Sequence, residues 1–167
     1  MKIFDSHCHL DDKSFKKDFD QVLQRATEAG VMRMMTIGID RQTSKQAVSL
    51  ARVYDVIFAS VGVHPHDAKN CNQSALQDLI NLAKSDKVRA WGEIGLDFNR
   101  MYSPRKDQEK WFEKQLDIAG ELELPMIFHE RDSNGRFLEI LKNYKTEGLK
   151  GVVHCFSGNQ YELDQYL

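Results

Sequence analysis

Hydrophobic residues along the chain fall in short blocks whose period keeps changing. Residues 2–6 read as a strand, and residues 18–28 follow with Phe19, Val22, Leu23 and Ala26 at helical spacing and Gly30 as the closing residue. An apolar run over 31–39 precedes a helix over 43–54 with Ala47, Val48, Leu50 and Ala51 on one side, and 56–63 is a further β-rich run. Ser74 is placed to cap a helix bearing Leu76, Leu79, Ile80 and Ala83. A strand over 88–96 then leads to a longer helix opened by Pro104 and carrying Trp111, Phe112, Leu116 and Ala119. The series closes with a strand over 125–129, a helix over 133–144 with Phe137, Leu138 and Leu141, a strand over 151–156 and a helical start at Gln160. Six strand–helix units are predicted.

Apolar strands spaced roughly 25 to 35 residues apart and separated by helices imply a parallel sheet, because parallel neighbours need crossover connections. A doubly wound sheet would show a glycine-rich phosphate loop after an early strand. Here the chemically able residues gather instead at the C-terminal ends of several strands. The expected fold is therefore α/β, a (β/α)8 TIM barrel of which about six βα units are present, since a full barrel takes about 200 to 250 residues. No linker or low-complexity tract divides the chain, so residues 1–167 are read as a single incomplete barrel domain.

Composition removes other classes. With 41% hydrophobic and 29% charged residues the chain is too apolar for disorder, and it has no apolar run of the length a membrane helix needs. The first ten residues lack the continuous apolar stretch of a signal peptide, so the expectation is a cytoplasmic protein with no membrane partner. Cys8, Cys71 and Cys155 are odd in number and follow no disulfide or zinc-ribbon spacing, which predicts reduced thiols and no disulfide-linked partner. The net charge of −2 gives no chain-wide basic surface, so a polyanion would have to be met by a local patch or by metal ions.

The chemistry concentrates at strand ends. His7 and His9 are two apart, and on a strand that spacing puts both imidazoles on one face. Glu93, His129 and His154 each stand inside or just after another apolar run. Five such residues at one barrel mouth suit one or two divalent metal ions: imidazole favours zinc and other transition ions, and a carboxylate can bridge two cations. Alternation turns Cys8 and Cys155 away from the mouth, as buried thiols. It puts Arg131 on the face of His129, where it could grip a phosphate or close a strand-end salt bridge. Asp97, His64 and His66 are candidates on the substrate side.

Five segments taken in order, Asp5-Ser-His-Cys-His-Leu10, Gly62-Val-His-Pro-His66, Gly92-Glu-Ile-Gly-Leu-Asp97, His129-Glu-Arg-Asp132 and His154-Cys-Phe-Ser-Gly158, resemble the successive motifs of the TatD-like metal-dependent deoxyribonucleases, a branch of the amidohydrolase-like hydrolases. The resemblance runs along the entire chain. It implies a TIM barrel, one or two divalent ions (zinc, magnesium or manganese) and hydrolysis of phosphodiesters in DNA. By it, His7 and His9 bind one metal, Glu93 bridges, His129 and His154 serve the second, and Arg131 and His64 lie near the scissile phosphate. The catalytic set is then Glu93, Arg131 and His64, with His64, Asp97 and Arg131 contacting substrate. The family pattern continues through two further strands to a metal-binding aspartate in a Thr-Asp-type motif, which does not occur in these 167 residues.

Metal-activated water attacking a DNA phosphodiester is the expected reaction. The alternatives are an amidohydrolase acting on a C–N or ester bond and a non-catalytic metal- or nucleic-acid-binding remnant. Six units alone would leave Ile3, Phe4, Val152 and Val153 uncovered at the outer strands, so association or a partner, and weaker metal binding, are expected of them.

Overall fold

The computed structural model describes residues 1–144 and 150–167. Six strands, β1 (Ile3–Cys8), β2 (Val31–Ile37), β3 (Ile57–Val61), β4 (Val88–Asp97), β5 (Met126–Arg131) and β6 (Gly151–His154), alternate with helices α1 (Phe19–Glu28), α2 (Arg41–Val53), α3 (Gln73–Ala83), α4 (Arg105–Glu121), α5 (Arg136–Asn143) and α6 (Gln160–Tyr166). The strands pair in sequence order, and every pairing is parallel. This is the expected run of six βα units of a barrel, curled and open between β1 and β6.

Alternation along the strands sorts side chains into two layers. Met34, Ile57, Ala59, Val61, Trp91, Ile94, Leu96 and Phe128 join helix residues such as Leu79, Phe112, Leu116 and Phe137 in the main core, whereas Met35, Ile37, Ala90 and Ile127 form a smaller cluster on the inner face. Phe112 stacks on Phe137 with ring centroids 5.0 Å apart, and Phe128 meets both edge-on. Each such fully buried side chain contributes about 1.5–3 kcal/mol by leaving water.

Several boundaries differ from expectation for local reasons. Helix α2 starts at Arg41 because Asp40 and Thr43 form a reciprocal capping box. Asn72, not Ser74, caps α3 by accepting from the Ala75 N–H. Helix α5 begins at Arg136, three residues late, because the N–H and hydroxyl of Ser133 are both committed to Glu130. Strand β6 stops at His154, because Cys155 takes a left-handed conformation with φ 57°. At the outer strands Ile3, Phe4 and Val152 are exposed as expected, but Val153 is half-buried against the main core, since its side chain faces the helices. Among the described residues no helix is long and apolar enough to cross a membrane.

Candidate metal centre

Two interruptions of regular pairing aim the central residues. In β4 the register passes from Gly92 opposite Ile127 to Ile94 opposite Phe128, leaving Glu93 as an extra residue. Trp91 and Ile94 therefore both face the helices, and Glu93 turns inward, which simple alternation from Trp91 would have forbidden. In β1 a similar irregularity lies between Asp5 and Cys8. It sends His7 inward and packs Cys8 against the helix-side core, where its thiol donates to the Met35 carbonyl at 3.2 Å. Cys8 is half-buried, turned to the helix side as alternation predicts but not fully enclosed, and burial pushes its thiol up to about 12. Gly95 lets β4 and β5 approach: at φ 142° it leaves open a place where a Cβ would strike the His129 carbonyl.

Four imidazoles converge on the buried Glu93 carboxylate. His129 Nδ1 lies 2.7 Å from Oε1, His7 Nε2 3.4 Å from Oε2, and His64 Nε2 and His154 Nε2 lie 3.6 and 3.8 Å from Oε1. The His7 and His154 rings stack at 4.0 Å. On its other side His129 Nε2 approaches Asp97 Oδ2 at 3.1 Å, and the same oxygen holds His66 Nε2 at 2.8 Å. Burial would raise the Glu93 carboxyl, but the hydrogen bond with His129 and the nearby His7 and His64 rings outweigh it and hold the group well below the usual carboxylate range. Burial likewise works against ionised Asp97, whose Arg100 N–H, His66 and His129 partners nonetheless keep its pKa low. Burial would lower His129, but the Glu93 and Asp97 carboxylates raise it. His64 is driven down to about 3 by burial, and His154 is lowered by burial and by the neighbouring His7. The cluster thus offers ionised carboxylates together with two imidazoles, His64 and His154, that resist protonation.

That donor set fits a divalent cation. His7, Glu93 and His154 bring one donor atom each within 4.8 Å of one another, and so do His64, His66 and His129 and the trio His129, His154 and Cys155. His7 Nε2 is buried without a hydrogen bond, a cost that a ligated ion would remove. His9 falls outside these groups: it lies past the end of β1, exposed, with its ring 5.3 Å from that of His7. Arg131 is half-buried at the end of β5, in register with Asp97, and forms no ion pair among the described residues, so the salt-bridge alternative is not what the structure contains. Cys155 departs from expectation. Its left-handed backbone ends the alternation, leaving the thiol exposed and 3.2 Å from His154 Nε2 rather than buried among helices.

The second histidine pair stands on a 3-10 turn, Pro65–Asn70, rather than on a strand. His64 caps that turn, its Nδ1 accepting the His66 N–H at 3.0 Å, so a neutral His64 carries its proton on Nε2, towards Glu93. Two residues absent from the sequence reading fix this region. Gln115 Oε1 accepts the Val63 N–H at 2.7 Å while its Nε2 donates to the Val63 carbonyl at 3.0 Å. Gln108 serves Asp97 in the same way, at 2.9 and 3.0 Å, and donates also to the Ser103 carbonyl. Their signal in the sequence is two amides seven residues apart inside the apolar stripe of α4.

A family profile described as TatD related DNase matches residues 4–167. The 3'-5' ssDNA/RNA exonuclease TatD of Pectobacterium carotovorum subsp. carotovorum is 42% identical over 166 residues, which make up 99% of this chain and 64% of that protein. Among solved structures, the TatD homologue YJJV from Escherichia coli K12 superimposes with a TM-score of 0.89 at 30% identity, covering 98% of this chain and 64% of that one. The hydrolase TatD family protein from Entamoeba histolytica gives 0.90 at 28% identity, with coverage of 99% and 62%. This chain therefore spans a little under two thirds of the relatives it matches. The profile takes in all six strands, their order superimposes on those barrels, and by both measures the chain belongs to the TatD related DNase family.

Proposed function

We propose that this chain carries the catalytic face of a divalent-metal-dependent hydrolase that cleaves phosphodiester bonds in DNA, working on unpaired strand ends. The observation that carries this reading is the convergence of four imidazoles on the buried, ionised carboxylate of Glu93. Single-stranded ends are the substrate that the exonuclease name of the Pectobacterium relative states for that protein. Residues 1–167 act here as one domain, in a cytoplasmic setting that keeps the three thiols reduced.

Glu93 stands between two positions. His7 and Glu93 would hold one ion, with the exposed His9 beside them contributing little; Glu93, His129 and His154 would hold a second, with zinc, magnesium or manganese as the candidates. When bound, such ions lower the pKa of water towards neutrality and polarise phosphoryl oxygens. The protein's own share is positioning. Glu93 orients the surrounding rings, and His64, neutral and fixed in one tautomer by its Nδ1 hydrogen bond, presents Nε2–H as a donor to a phosphate oxygen. Arg131, free of a carboxylate partner among the described residues, adds a planar cation suited to the same group.

In a full-length version of the protein, Glu93→Gln should abolish metal-dependent DNA cleavage while thermal unfolding stays cooperative; retained cleavage would overturn the assignment. A panel with cyclic amides and lactones separates the acyl reading, which requires their turnover without release of nucleotides.

A further inference from the structure

Between β4 and α4 the chain lifts two apolar side chains into solvent beside the histidine cluster. Met101 is 41% exposed and Tyr102 53%, and the Tyr102 ring meets His66 with centroids 4.7 Å apart and planes at 69°. A large exposed aromatic is ordinary on a mobile loop, but this segment is pinned from beneath. Fully buried Ser103 donates its hydroxyl to the His66 carbonyl at 2.7 Å and accepts the Lys69 N–H at 3.0 Å. Gln108 holds the Ser103 carbonyl at 2.8 Å, and Asp97 Oδ1 accepts the N–H groups of Asn99 and Arg100 at 3.0 and 2.7 Å. The Asn99 amide also reaches Asp132, beyond the end of β5, at 2.6 Å. Tyr102 is thus an exposed ring on a fixed mount, next to a residue that shares Asp97 with His129.

We infer that Tyr102 is a stacking platform for the terminal base of an unpaired nucleic-acid strand, seating that base on the Tyr102 side of the cluster so that the adjoining phosphate falls among the histidines. The inference rests on the nucleic-acid reading proposed above and names a subsite for it. An aromatic ring fixed before binding loses little freedom when a base settles on it, and every base offers a π-face, so such a platform binds without regard to sequence. Charge agrees with this occupant. Arg100 is exposed on the same segment, and the Arg105 guanidinium is held 4.4 Å from the Phe98 ring at the start of α4, so cations flank Tyr102 along the chain on both sides, a charge suited to a phosphate backbone. Bases inside a duplex already stack on one another, so the platform favours unpaired ends.

The test uses the full-length protein and short single-stranded oligonucleotides whose last linkage is a slowly cleaved phosphorothioate, ending either in a normal 3'-nucleotide or in an abasic one. Wild-type protein should bind the base-bearing end about 5- to 150-fold more tightly, and should quench a 3'-terminal 2-aminopurine. Tyr102→Phe should keep both effects. Tyr102→Leu should bind the two ends alike and lose the quenching with an unchanged melting temperature, which a merely structural tyrosine would not produce. Equal binding of both ends by wild type, or discrimination surviving in Tyr102→Leu, overturns the platform and leaves the nuclease reading standing. Failure of the wild type to bind or cleave any oligonucleotide overturns both.

Discussion

His7 and His9 share their spacing with His64 and His66, yet the two pairs reach the site by different routes and with different results. The first pair sits where β1 ends, and an irregular register turns His7 onto Glu93 while His9 stays exposed beyond the last strand residue. The second pair does not depend on a strand. A proline starts a tight turn, His64 caps it through Nδ1, and the two rings stay together at 4.3 Å, both within reach of His129. A spacing of two therefore guarantees a shared face only while the strand lasts. Past its end, a cap hydrogen bond can bring two side chains together better than pleating does.

Three measurements would break or sharpen this contrast. The largest effect is expected from splitting the first pair: by calorimetry His7→Ala should weaken divalent-metal binding about 10- to 100-fold, and His9→Ala less than about threefold. Equal losses would show that the two rings act together, as the His-x-His spacing alone suggests. Next comes the support of the second pair. Gln115→Leu strands the buried Val63 N–H and carbonyl and should destabilise the fold by about 1–3 kcal/mol in urea; an unchanged midpoint would mean that the turn holds itself. The smallest effect is electrostatic and belongs to the metal-free protein. The His64 pKa is lowered from 6.5 to about 3, so the unfolded chain takes up its proton first, and stability declines as pH falls through that window. The slope from one such group is at most about 1.4 kcal/mol per pH unit. Glu93 and Asp97, also lowered, add loss in the same direction at more acid pH, whereas the raised His129 stabilises at low pH and loses that contribution as pH rises. His64→Gln should flatten the decline between pH 6.5 and 3; an identical curve would place its titration elsewhere.

The sequence made the fold legible because each apolar block is short, bounded and followed by a helical stripe, and the parallel order follows from the crossovers those stripes form. The strand-end residues were legible as a set because charge inside an apolar run is conspicuous. How each one points was not. Counting by twos from Trp91 sends Glu93 to the helices, and only the extra residue in β4 reverses it. The same counting buried Cys155, which a left-handed backbone instead exposes. Tyr102 carried no sequence signal, since its meaning depends on the buried network below it. His66 is conspicuous in the sequence, but its hydrogen bond to Asp97 joins side chains 31 residues apart and follows no spacing rule.

Gln108 and Gln115 stand in for absent strand neighbours, each meeting one backbone N–H and one carbonyl with a single side chain. An amide does both at once because its oxygen accepts while its nitrogen donates. Loss of the amide nitrogen by hydrolysis, the slow chemical ageing to which such side chains are prone, would leave a glutamate able to accept but not to donate, and would set a fresh negative charge against the carbonyls of Asp97 or Val63. Each glutamine is only 1% exposed, so the water this reaction consumes is kept from them by the same packing that α4 provides. The supports of the second histidine pair are in this sense built to last: shielded from solvent, they hold a geometry that ageing at the protein surface does not reach.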